Sequence, residues 1–230
     1  MKHFLKFLIF CAAIAAVSCD SSDENPAVDR SNQYFPVHAG QYQVYDVLEI
    51  VYTLGVPETL KYQLKTVITD SFPNATGGFT YVMHRSKKGQ AEQNFTALDT
   101  WSARLGPQEV VVQEENISFV KIKLPAEKDT EWDGNLYNTL GEDGYLIEDA
   151  QTPYSVNGVA FDDCVVINQN DNQDYVVSLD QRKEVYARNT GLIYKESTLL
   201  NYCTVGGCLG QQQVESGKIY QQTIKSHGVE

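Results

Sequence analysis

Leu60-Lys61-Tyr62-Gln63-Leu64-Lys65-Thr66-Val67-Ile68-Thr69 is the stretch that decides the fold. Leu60, Tyr62, Leu64 and Ile68 alternate with Lys61, Gln63, Lys65 and Thr69. A period of two places one set on a covered face and the other toward water, as in a half-buried β-strand. Upstream, Tyr42, Val44, Leu48, Ile50 and Tyr52 share one parity. Tyr45, Val47 and Val51 interrupt that alternation, as expected of a strand covered in part on both faces. Gly55-Val56-Pro57-Glu58 separates the two runs, so they predict a long antiparallel hairpin.

The same pattern continues downstream. Phe79, Tyr81 and Met83 predict a third strand, with Lys87-Lys88-Gly89 as the turn tip that follows. Residues 95–105, which include Trp101, fit either a strand or one short helix. Glu109–Gln113 and Ile117–Leu124 predict a hairpin around Glu114-Glu115-Asn116. In its second arm Val120, Ile122 and Leu124 face one way, and Lys121 and Lys123 the other. Trp132-Asp133-Gly134-Asn135 suits a tight turn with positive φ at the glycine. Extended segments follow at 145–148, 154–156, 159–168, 175–179, 185–187, 192–202 and 219–224, with turns at Asn157-Gly158 and Asn189-Thr190-Gly191. So many short strands without an amphipathic helix predict an all-β domain, residues 34–230, built on antiparallel pairing.

The start of the chain has a different character. Lys2, His3 and Lys6 precede an apolar run from Phe7 to Val17. The run is shorter than the roughly 20 residues of a membrane-spanning helix and suits the core of a signal peptide. It ends in Ala16-Val17-Ser18-Cys19, which resembles the lipobox of bacterial lipoproteins. That resemblance implies a signal peptide at 1–18, cleavage before Cys19, and lipid attached to the Cys19 sulfur as the link to the membrane. Ala16 stands where Leu is commonest in the family. Residues 19–33 open with Asp20-Ser21-Ser22-Asp23-Glu24-Asn25-Pro26, a polar, acidic stretch read as a flexible tether. Its acidic residues resemble the export signal of Bacteroidota surface lipoproteins. An outer-membrane location follows from the resemblance, with the surface and periplasmic faces both open.

The chain has a net charge of −12, and loss of two leader lysines makes the mature chain more acidic. Phosphate repels such a protein, so nucleic acid is excluded as a partner. Cys203 and Cys208 flank Gly206-Gly207, and in an oxidising compartment a disulfide there would staple a hairpin. Cys164 sits in an apolar run and reads as a small buried hydrophobe. His38, His84 and His227 show no ligand spacing, so no metal is expected. Asn168, Asn170, Asn172 and Asp174 share the alternation of a calcium loop, but the turn glycine and distal glutamate are missing, and a plain hairpin is expected.

Nucleophile elbow, HExxH, P-loop and dinucleotide motifs are absent. No catalytic residue, enzyme activity or cofactor is expected. Tyrosines number 14, and Tyr is a good strand residue as well as a contact residue. Trp101 and Trp132 lie in the two least regular stretches and are the candidates for a ligand rim. Tyr34-Phe35-Pro36 through Gly40-Gln41-Tyr42 to Tyr45, and Phe161–Val166 followed by Val185–Ile193, resemble Bacteroidota lipoproteins. They also resemble the wider group of curved sheets typified by the LolA/LolB carriers. That resemblance implies a single antiparallel sheet bent into a half-barrel or open barrel with an apolar concave face. The expected function is a lipid-anchored envelope domain that binds a ligand or partner, whether an envelope protein, a glycan or an apolar molecule. The alternative is a carrier of a lipid or other apolar molecule in a curved-sheet cavity.

Overall fold

The computed structural model describes residues 31–75 and 77–230. Cys19, the leader and most of the tether lie outside the described residues. A single 12-stranded sheet holds every strand: β1 (Gln41–Thr53), β2 (Val56–Pro73), β3 (Phe79–Gly89), β4 (Thr96–Leu105), β5 (Glu109–Glu114), β6 (Ile117–Lys123), β7 (Glu131–Asp133), β8 (Gly144–Val156), β9 (Val159–Asp174), β10 (Ser178–Ala187), β11 (Gly191–Tyr202) and β12 (Val214–Val229). The strand order is β6-β5-β4-β3-β2-β1-β12-β11-β10-β9-β8-β7, and every pairing is antiparallel. The chain runs down one half of the sheet and returns along the other, so the last strand pairs with the first. The sheet is nearly closed into a barrel with one unsealed seam.

That seam separates β6 from β7, the two ends of the strand order. Side chains and a few backbone groups bridge it in place of a ladder. The Val120 N–H donates to the Gly134 carbonyl at 2.9 Å, the Trp132 indole N–H to the Val120 carbonyl at 2.8 Å, and the Asn138 amide to the Ser118 carbonyl at 2.9 Å.

Curvature comes from bulges. Eight of the eleven ladders contain a register shift; each extra residue bends its strand and increases local twist. The β5–β6 bulge has a further effect. Val110 pairs with Ile122 and Val111 with Val120, so Lys121 is the unpaired extra residue. The expected split between Val120/Ile122 and Lys121 therefore fails, and all three are buried.

Two other expectations need correction, and one open choice is decided. Lys87-Lys88-Gly89 belongs to β3, where Leu64 and Gln63 pair with Lys87 and Lys88; the turn comes after it. Of the two readings of residues 95–105, the strand is the one that forms, at Thr96–Leu105. Gly134 opens a turn without positive φ. Its need for glycine is steric, because a β-carbon there would fall on the Tyr145 ring.

Two apolar clusters hold the fold. The first contains Ile68, Met83, Val110, Val120, Ile122, Trp132, Tyr145, Val165, Ile167 and Tyr186. Tyr34, Phe35 and Val37 pack into it from the segment before β1. The second holds Cys164, Val166, Val185 and Ala187, which alternate with members of the first along β9 and β10. The β8–β9 hairpin covers it with Tyr154, Val156 and Phe161. Both faces of β9 and β10 are thus buried, each large aliphatic contributing about 1.5–3 kcal/mol.

Candidate ligand-binding site

One face of most strands lines an interior cavity of about 460 Å³. The period-two rule is plain in its walls: Tyr62, Leu64, Thr66 and Ile68 from β2; Lys195, Ser197 and Leu199 from β11; Lys218, Tyr220 and Gln222 from β12. The volume falls in the range of small-molecule sites. Phe35 and Pro36 lie at one end of the lining, while Leu98, Glu115 and Leu199 are exposed and mark the open end.

The cavity is not an apolar trough. Arg85, Lys121, Lys195 and Lys218 line it together with Asp99, Glu114, Glu115 and Glu184. The deepest charges form one cluster. Lys121, 6% exposed, meets Glu184, 1% exposed, at 2.7 Å and Glu114 at 3.1 Å. Lys195 adds a second cation to Glu184 at 3.0 Å, and the Tyr186 hydroxyl donates to its other oxygen at 2.6 Å. These contacts tie β5 and β6 to β10 and β11 across the interior. Burial opposes ionisation of Glu184, yet Lys121 and Lys195 hold its carboxyl well below the usual range. Burial likewise opposes the Lys121 charge, and Glu114 and Glu184 more than offset it, raising the ammonium above its ordinary value.

A second group lies on β3 and β4. Arg85 Nη1 donates to both Asp99 carboxylate oxygens, at 3.2 and 2.9 Å, and the guanidinium lies 3.5 Å from the Trp101 ring centroid. Pairing of Arg85 with Asp99 and of Met83 with Trp101 in the β3–β4 ladder sets this stack. Tyr45, Tyr62 and Tyr220 line the same cavity. Burial pushes all three phenols well above their ordinary pKa, and the Arg85 charge works against that shift in each. Near the open end Glu49 receives the Tyr62 hydroxyl at 2.9 Å and Lys218 at 2.7 Å.

The two tryptophans part company. Trp101 is in the cavity wall, stacked under Arg85, with its indole N–H buried and unpartnered. Trp132 is 8% exposed, packs edge to face on Tyr145 at 5.7 Å and bridges the seam. It belongs to the core and is not among the residues that line this cavity. Its surroundings are the physical reason: the seam needs an apolar filler that also donates one hydrogen bond.

Cys203 and Cys208 are joined by a disulfide around a short 3₁₀ turn between β11 and β12. Cys164 is buried, and burial pushes its thiol up to about 11. Asn168 to Asp174 form the end of β9 and pair with β10; Asn170 donates to Asp180 at 2.9 Å. Among the described residues no acidic, histidine or cysteine group is arranged to hold a metal. Sequence reasoning missed Arg85, Lys121, Glu184 and Lys195. For Lys121 the available signal was a charge set inside an aliphatic run, Val120-Lys121-Ile122; Glu184 follows Arg182 and Lys183 and carried no such signal.

No protein family matches the sequence, and no curated protein aligns with it significantly. Several solved structures resemble it, among them the following two. One, provisionally described as an exported protein with YmcC-like fold from Bacteroides fragilis, is 12% identical. The match covers 84% of this chain and 98% of that one at a TM-score of 0.46. The other, provisionally described as a lipoprotein from Parabacteroides distasonis, is 10% identical over 85% of this chain and 98% of that one, at a TM-score of 0.45.

Proposed function

We propose that this chain is a lipid-anchored lipoprotein of the bacterial outer membrane whose barrel binds a small ligand without catalysis. The observation that carries the binding reading is the 460 Å³ cavity lined by alternating residues of at least six strands. A packed barrel of this size would fill that space with side chains. Pairing of the interior acids and bases supports binding over chemistry: Glu184 and Lys121 are held in their charged forms and are poor proton carriers near neutral pH. The Ala16-Val17-Ser18-Cys19 sequence supports the anchor.

An acyl chain, the cargo that a LolA/LolB-like apolar concave face would suit, matches this interior poorly. Eight charged side chains line it, and an alkyl chain would strip them of water without replacing the lost hydrogen bonds. The lining fits a compact molecule with both polar and aromatic-contacting parts.

Two measurements test the reading. Cys19→Ala is expected to move the protein from the membrane to the soluble envelope fraction; unchanged fractionation removes the anchor. Solvent extraction of protein purified from its native host, followed by mass spectrometry, is expected to release one small polar compound in near-equimolar amount. A phospholipid or fatty acid in its place would restore the carrier.

A further inference from the structure

We propose that Arg85 is the anchoring point for a carboxylate-bearing ligand in the barrel, an inference that rests on reading the cavity as a ligand chamber. The guanidinium is 11% exposed, lines the cavity, and uses only Nη1 in hydrogen bonds to Asp99. Its Nε and Nη2 hydrogens have no partner among the described residues, and neither nitrogen is among the sealed, unpartnered atoms. Both therefore keep solvent access on a residue that lines the cavity. Those two nitrogens form the edge of arginine that takes both oxygens of a carboxylate in parallel. The Trp101 ring beneath and the Asp99 carboxylate beside the group fix the direction of that edge.

The charge of the surroundings selects the kind of anion. Arg85 with Asp99 is a neutral pair, and Lys121 is already shared between Glu114 and Glu184. Lys195 and Lys218 are likewise paired, with Glu184 and Glu49, so the described lining holds no spare cluster of cations to neutralise a dianion. A monoanionic, planar carboxylate satisfies the free edge at the lowest electrostatic cost, and a phosphate does not.

Purified full-length protein in detergent, titrated calorimetrically with matched pairs, tests this: benzoate against benzamide and 2-naphthoate against 2-naphthamide, with phenyl phosphate as a third arm. The expected result is that at least one carboxylate binds about 10-fold or more tightly than its amide, the margin of a charge-assisted pair of bonds. Arg85→Gln should erase that margin. Asp99→Asn, which leaves the fork intact and removes the competing carboxylate, should keep or widen it. If acid and amide bind equally and Arg85→Gln changes neither, the carboxylate assignment is overturned while the chamber stands. Tighter binding of phenyl phosphate than of either carboxylate also overturns it. If no probe binds, the assignment falls, and the extraction experiment decides separately whether the chamber holds a ligand.

Discussion

Replacing Lys121 with Met probes the interior ion cluster directly. Methionine is one atom shorter than lysine but unbranched, and it fits an irregular apolar space, so the change is mainly one of charge. It leaves Glu114 without its cation and Glu184 with Lys195 alone. Removing one member of a buried pair costs about 3–5 kcal/mol, because the other charge stays desolvated. Lys195 at 3.0 Å retains part of the compensation, which places the expected loss near the lower end, about 3 kcal/mol. Urea unfolding followed by tryptophan fluorescence reads this as a midpoint lowered by roughly 1–1.5 M for a slope of about 2–3 kcal/mol/M. The double variant Lys121→Met/Glu184→Leu removes the orphaned carboxylate as well. It should lose less than the sum of the two single changes, since contacting groups are not additive. The cluster also sets the pH dependence. The depressed Glu184 carboxyl contributes stability that is complete above its unfolded value of 4.5 and is lost as pH falls toward the folded value. The raised Lys121 ammonium contributes stability that is complete below 10.5 and is lost as pH climbs through the folded value. Lys121→Met should flatten both flanks. A midpoint within about 0.2 M of wild type, or a double variant equal to the sum of the singles, would refute the claim that the cluster ties the two halves of the barrel together.

Gly134→Ala places a methyl group on the buried Tyr145 ring. The expected cost is about 1–3 kcal/mol, as for other overpacked sites, with a shift in Trp132 emission because Tyr145 packs against that indole; an unchanged midpoint and spectrum would show that the seam tolerates the methyl. Replacing Cys203 and Cys208 together by Ser should cost about 2 kcal/mol on the chain-entropy account of a short loop. Hydrogen exchange should then speed up around residues 203–213 and leave β2 to β4 protected; a uniform loss of protection would mean that the staple supports the whole barrel.

The strands were legible because alternation is a local signal. Leu60 to Thr69 reports its own pairing, and β2 forms where those residues lie. Longer strands were read as pieces wherever a bulge broke the period. Residues 145–148 and 154–156 belong to one strand, β8, whose ladder shifts register three times between Leu146 and Val156. Closure is a global property of the same local defects. No short stretch declares that β12 returns to pair with β1, yet that pairing joins two meanders into one sheet, whose two ends then meet at the seam.

The interior charges were hidden for a related reason. A lysine flanked by Val120 and Ile122 is assigned by parity to the solvent side, because a two-faced strand normally has one wet face. At a bulge, parity fails. The extra residue lets neighbours of different character share a side, and Lys121 is that residue. The partner glutamate lies on β10, 63 positions away in sequence. Neither position alone distinguishes a buried ion from a surface charge; only together, across the nearly closed barrel, do they form a satisfied pair. The cavity follows from the same step. Residues that would have packed against a second layer in an open sheet instead face one another across the barrel. There Lys121, Glu184 and Arg85 meet their partners while leaving space between them. A binding chamber of this kind is therefore encoded in where the alternation breaks, more than in any run of residues that could be read as a motif.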